Sequence, residues 1–213
     1  MSTEPVAHGS GGRAPRGVAP GPRPHGARPG AAPGTATSGA RLLLSGLGID
    51  LTSESLQRTP ERMAGALSEL LTPRPFELTT FPNDGGYDEL IVARGIPMRS
   101  LCEHHMLPFV GTAHIGYLPG ERILGLSKLA RVLEHFSRRP QVQERLTTQV
   151  AGWLQEHLAP TGVGVVIEAE HFCMTLRGVR APGTTTITSS LLGSLRTDAR
   201  SRAEFLALTH SPR

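Results

Sequence analysis

Lysine is almost missing from this chain. Of the 22 basic side chains, 21 are arginine and only Lys128 is lysine. A lone lysine on an arginine-rich background marks a position where a compact ammonium does what a planar guanidinium cannot, or where chance left one. Cysteine is nearly absent too, with Cys102 and Cys173 as the only pair. No apolar run approaches the ~18 residues that span a bilayer, and the N-terminus lacks the apolar stretch of a secretory signal. The expectation is a cytoplasmic protein with no membrane partner. Thiols stay reduced there, which makes a disulfide the weaker explanation of the two cysteines.

Charge excludes a second class. The sequence pI of about 9.8 invites a nucleic-acid reading. However, the first 40 residues carry Arg13, Arg16, Arg23 and Arg28 against Glu4, so the rest holds only about +1 of the chain's net +4. A body that close to neutral lacks the electrostatic footprint of a nucleic-acid binder. Gly, Pro, Ala and Arg make up 28 of those 40 residues, and none is Phe, Tyr or Trp. Such a stretch buries too little apolar surface to offset its ordering entropy. Residues 1–40 are therefore expected to be a disordered, dispensable arm, and residues 41–213 a single folded body.

Periodicity fills in that body. "TPERMAGALSELL" predicts a helix, with Thr59 as its cap, Pro60 in its first turn and Met63, Leu67, Leu70 and Leu71 as its apolar stripe. "YDELIVARGIPMRSLC" and "VGTAHIGYLP" read as strands. Two helices follow. "LSKLARVLEHFSRR" is placed for capping by Ser127, and "QVQERLTTQVAGWLQEHL" lies beyond Pro140. "GVGVVIEAEHFCMTLRGV" reads as one long strand, "GTTTITSSLLGSL" as its hairpin partner and "DARSRAEFLALT" as a closing helix. The order ββααββ after an N-terminal helix predicts an α+β fold, an antiparallel sheet with two helices packed on one face.

The chemistry concentrates in two places. "SLCEHHMLPF" sets Cys102, Glu103, His104 and His105 side by side. On an extended strand, His171, Cys173 and Arg177 share one face, with Thr175 between them. Cys102, His105 and Cys173 then supply two thiolates and an imidazole, a zinc donor set. Three protein ligands leave a fourth position for water, as in catalytic rather than structural sites. His104 and His171 remain for proton transfer. The competing reading makes Cys102 a nucleophile activated by the neighbouring histidines without metal. Gln143 and Glu144 open a helix, and a carboxylate there can accept the two parallel N–H groups of a guanine edge. Arg62, Lys128, Arg131 and Arg177 suit phosphates, although each alone is an ordinary surface cation.

"SLCEHHMLPFVGTAHIGYLP", "GLSKLARVLEHFSRRPQVQERLT" and "HFCMTLRGVRAPGTTTITSSLLG" together resemble the GTP cyclohydrolase I family, over about residues 47–208. The resemblance implies a tunnelling fold, in which such sheets join across subunits into a barrel. It implies a homodecamer of two pentamers with sites at subunit boundaries. It also implies zinc held by Cys102, His105 and Cys173, with His104 and His171 catalytic. Gln143 and Glu144 would recognise guanine. Ser127, Lys128, Arg131 and Arg177 would meet the ribose and triphosphate, with Arg62 contributed across an interface. The implied reaction takes GTP and water to formate and 7,8-dihydroneopterin triphosphate, the first step towards pterins and tetrahydrofolate. His171 would assist protonation at N7, and His104 and Ser127 would handle protons during ribose rearrangement. A paralogue stopping at a ring-opened pyrimidine is the alternative outcome. Some family members carry a lysine one turn after the position of Arg62, where this chain has Gly65.

Overall fold

The computed structural model describes residues 33–210. Two helices come first, α1 (Pro33–Gly46) and α2 (Thr59–Leu71), and they pack on each other. The order then runs β1 (Thr80–Pro82), β2 (Ile91–Cys102), β3 (Pro108–Leu118), β4 (Arg122–Leu124), α3 (Ser127–Ser137), β5 (Pro140–Gln141) and α4 (Gln143–Leu158). It closes with β6 (Gly162–His171), a single-turn α5 (Phe172–Thr175), β7 (Thr185–Gly193), the short α6 (Ser194–Thr197) and α7 (Ala199–His210). Among the described residues no helix is long and apolar enough to cross a membrane. Most of the expected arm lies outside the described residues, but its last part does not: α1 begins at Pro33, before the expected boundary at residue 40.

The five-stranded sheet has the order β5-β2-β3-β6-β7, antiparallel except for the two-residue pairing of β5 with β2. Alternation along the strands sends Phe109, Ala113, Ile115 and Tyr117 of β3 to the same side as Val163, Val165, Ile167 and Ala169 of β6. Leu129, Val132, Leu133 and Phe136 of α3 cover that face, joined by Leu146, Val150, Trp153 and Leu154 of α4. The expected architecture, two helices on one face of an antiparallel sheet behind an N-terminal helix, is what forms. Phe205 of α7 packs on the other face over Gly116 and Gly164.

Three local expectations change. The segment read as one strand over 162–179 stops at His171 and turns into α5, so Cys173 and Thr175 do not share a strand face with His171. Thr59 is the first helical residue rather than a cap, and Pro60 behind it brings no N–H that needs capping. Ser127 likewise starts α3 without capping it, because Leu126 before it already has helical backbone angles (φ −52°, ψ −39°).

The tightest approach in the sheet is at Gly111, where a Cβ would overlap the carbonyl oxygen of Glu168 and lie 2.6 Å from the Cα of Ala169. Backbone rather than a flexible side chain stands in the way. Gly111→Ala should therefore destabilise the protein at or above the ~3 kcal/mol upper end of ordinary overpacking. Gly65→Ala, in α2 with nothing within 4 Å, should stabilise by ~0.5–1 kcal/mol. Urea unfolding of the two variants checks both signs.

Candidate active site

The cysteine beside two histidines lies where β2 turns into β3. After Cys102 the chain closes a tight turn. His105 N–H donates to Cys102 O at 3.3 Å, Met106 N–H donates to the same oxygen at 2.8 Å, and Cys102 N–H donates to Leu107 O at 2.8 Å. Met106 takes a left-handed φ of 54° to complete it. A turn of this kind brings residues three apart together, so Cys102 and His105 meet although neighbours on a strand point apart. The pairing of β3 with β6 sets Phe109 opposite His171, which delivers α5 to the same edge. The ligand atoms of Cys102, His105 and Cys173 all lie within 4.8 Å of one another.

That donor set fits a metal. Both cysteines are free thiols. Burial pushes the Cys173 thiol up, and the adjacent Cys102 pushes it further; the cation of Arg177 pulls the other way. Two sulfurs crowded together resist ionising on their own, and a divalent cation supplies the charge that stabilises them as thiolates. Cys102 is buried while His105 is exposed, so the group has one wall in the protein and one side open. His104 lies beside it, its Nδ1 3.7 Å from Cys102 Sγ and its Nε2 3.9 Å from a Glu103 oxygen.

His171 is held differently. Its ring stacks flat on Phe109, centroids 4.6 Å apart and planes within 2°. Gln143 Oε1 lies 2.7 Å from His171 Nε2. The amide's orientation follows from its other end, where Nε2 faces the carbonyl oxygens of Ile167 (3.0 Å) and Thr186 (2.8 Å). Carbonyls only accept, so the NH2 must be there and the oxygen must face His171. His171 Nε2 therefore carries the hydrogen and Nδ1 the lone pair. Burial lowers the pKa of His171, with Glu144 raising it to a lesser degree, which favours the neutral ring. Gln143, expected to read guanine, is fully buried with its side chain engaged inside the fold. Glu144 next to it is exposed.

The remaining residues divide. Arg177 follows α5 and acts on Cys173, so it belongs to the metal edge. Ser127 and Lys128 do not. The first turn of α3 hangs from the far end of the sheet, where Tyr117 accepts from Leu124 N–H at 2.8 Å and Gly125 N–H donates to Thr79 O. Only the end of α3 reaches the metal edge, where Ser100 Oγ donates to Ser137 O at 2.6 Å. A helix of this length puts Ser127 and Lys128 about 15 Å from that edge, farther than a side chain reaches. Arg131 stands one turn further along, and Arg62 lies exposed in the first turn of α2. Sequence reasoning missed Phe109, and also Arg145, whose hydrogen bond to Glu103 lowers the pKa of that carboxyl.

The sequence profile of the family described as GTP cyclohydrolase I matches residues 36–210. The chain is 49% identical over 170 residues to GTP cyclohydrolase 1 of Hydrogenobaculum sp., covering 80% of this chain and 93% of that one. It is 51% identical over 168 residues to GTP cyclohydrolase 1 of Aquifex aeolicus (79% and 91%) and 51% identical over 180 residues to that of Dictyostelium discoideum (82% and 77%).

Gln143→Leu should lower stability by ~2–4 kcal/mol, because the buried carbonyls of Ile167 and Thr186 lose their donor. Turnover should fall as His171 loses its tether, while metal content should hold because no ligand is touched. Unfolding, metal analysis and rate on one sample check the three together.

Proposed function

The chain belongs to the GTP cyclohydrolase I family, and from that membership and its site geometry we propose that it converts GTP and water to formate and 7,8-dihydroneopterin triphosphate. The observation that carries the reading is the Cys102–His105–Cys173 group beside an anchored, neutral His171 and an exposed Glu144. Zinc is the metal this donor set favours, since thiolate and imidazole together select it over hard cations. When bound, zinc lowers the pKa of a water to near neutrality and so supplies a nucleophile.

The chain's own groups do the rest. Glu144 accepts N1–H and the 2-amino group of guanine and so presents C8 of the purine to the metal edge. As the water oxygen bonds to C8, Nδ1 of His171 carries its proton to N7, because Nε2–H is fixed on Gln143. The C8–N9 bond breaks to leave a formamide on N7, a second water hydrolyses that amide to release formate, and closure of the new ring later returns one water. His104, exposed at the open side, handles protons as the sugar rearranges and the six-membered ring closes. Arg177 meets the phosphate end.

Lys128, Ser127 and Arg131 enter from a second copy. In one chain they lie away from the metal edge, so the complete site needs a neighbouring subunit. We take the assembly to be the ring in which sheets join edge to edge, a decamer of two pentamers, with Arg62 reaching across a further boundary. Joining sheets also removes the exposed edge of β7. The protein works in the cytoplasm, consistent with its two free thiols.

Two experiments test this reading. Cys102→Ala, His105→Ala and Cys173→Ala should lose zinc and formate release together. His104→Ala and His171→Ala should keep about one zinc per chain and lose turnover by roughly 10²–10⁴-fold, the usual contribution of a general acid or base. Metal content unchanged in all five would remove the zinc site and leave Cys102 as a nucleophile. For the shared site, Cys102→Ala and Lys128→Ala should each be inactive alone and regain activity when co-assembled, because some boundaries then combine an intact metal edge with an intact lysine. Co-assembled rings that stay inactive would place the whole site in one chain.

A further inference from the structure

The turn that carries two ligands also carries Glu103, and Glu103 is fastened. Its carboxylate accepts from Nη2 of Arg145, the residue directly after Glu144 on α4. Arg145 makes two more bonds: Nε donates to Gln141 Oε1 at 2.9 Å, and Nη2 to Pro140 O at 3.2 Å. Gln141 is fully buried and itself anchored, its Nε2 donating to Phe136 O at 2.8 Å and Gln149 Oε1 at 2.9 Å. The main chain supplies a parallel link, since Glu103 N–H donates to Gln141 O at 3.0 Å. The guanidinium thus ties the tip of the β2–β3 turn to β5 and to the first turn of α4.

Stability does not account for this arrangement. The side chains of Arg145 and Glu103 are 37% and 33% exposed, and pairs that exposed add little to folding. What the pair fixes is position. Among the described residues the turn has no other side-chain hydrogen bond to α4, and its ligands must face Cys173 from across the sheet edge. A guanidinium is suited to this because its planar fork holds a carboxylate, an amide oxygen and a carbonyl at once, whereas an ammonium presents a point charge without that geometry.

We propose that Arg145 is a positioning residue for the metal site: through Glu103 it holds the Cys102–Met106 turn in the conformation that presents Cys102 and His105 to Cys173. It also sets the distance between that turn and Glu144, so the metal and the base-recognising carboxylate share one brace. The proposal rests on the zinc reading above.

The test uses the full chain loaded with zinc, in competition with a chromophoric chelator, for Arg145→Lys, Glu103→Gln and the double variant. Each single change should weaken zinc binding by roughly ten- to a hundredfold, the usual cost of losing a partner behind the ligands. The double variant should be no weaker than the worse single one, because one interaction is lost in all three. Thermal midpoints of the metal-free variants should match the unmodified chain. Zinc affinity that does not change, losses that multiply in the double variant, or metal-free midpoints that fall in step would each overturn the proposal. An unmodified chain that binds no zinc removes the earlier reading as well. An unmodified chain that binds zinc and releases formate, with variants insensitive, overturns this one alone.

Discussion

Everything at the metal edge depends on the pairing of β3 with both neighbours at that end of the sheet. Leu101 opposite Pro108 ends β2 at the edge, and Phe109 opposite His171 ends β6 there. Two segments distant in sequence are therefore cut off level with each other, and the turns that follow them meet. A slip of one residue in either register would exchange the faces of the strand. His171 would leave Phe109 and Gln143, and Cys173 would follow α5 away from Cys102. The buried odd-numbered series of β3 and β6 makes such a slip costly, since it would carry Phe109, Ile115, Val165 and Ile167 off the helices that cover them. The core thus holds the chemistry in place, touching it through Phe109 under His171.

Much of this was readable in advance. The apolar stripes of α3 and α4 and the alternation in β3 are strong periodic signals, and the ligand set followed from two cysteines near histidines. The end of β6 was not readable. "HFCMTL" has no glycine or proline to mark a break, and its aromatic and β-branched residues suit a strand as well as a turn of helix. The break is imposed by tertiary context, because β3 offers no partner beyond Phe109. The anchoring of Gln143 inside the fold was hidden for a related reason. A glutamine at a helix start looks like a surface residue, and only the approach of β6 and β7 to α4 reveals carbonyls that need its amide.

The distance between the proposed cations and the cysteine–histidine group has a geometrical reason. α3 must lie along the sheet to cover its core, so its two ends fall at opposite ends of the strands. Its last turn supports β2 beside the metal edge and its first turn is carried away from it. A single chain of this topology carries the cysteine–histidine group and Glu144 at one end and Lys128 at the other. In the proposed assembly, association answers a constraint that packing creates.

The scarcity of lysine has a practical consequence. Lys128 is half-buried at the head of α3, and among side chains it is the only primary amine in the chain. Reagents that acylate amines will therefore find a single side-chain target per subunit. A fluorophore or an isotopic acetyl group placed there reports from one defined point without any engineered residue, and protection of that amine by polyanions becomes a direct optical readout of what occupies its surroundings.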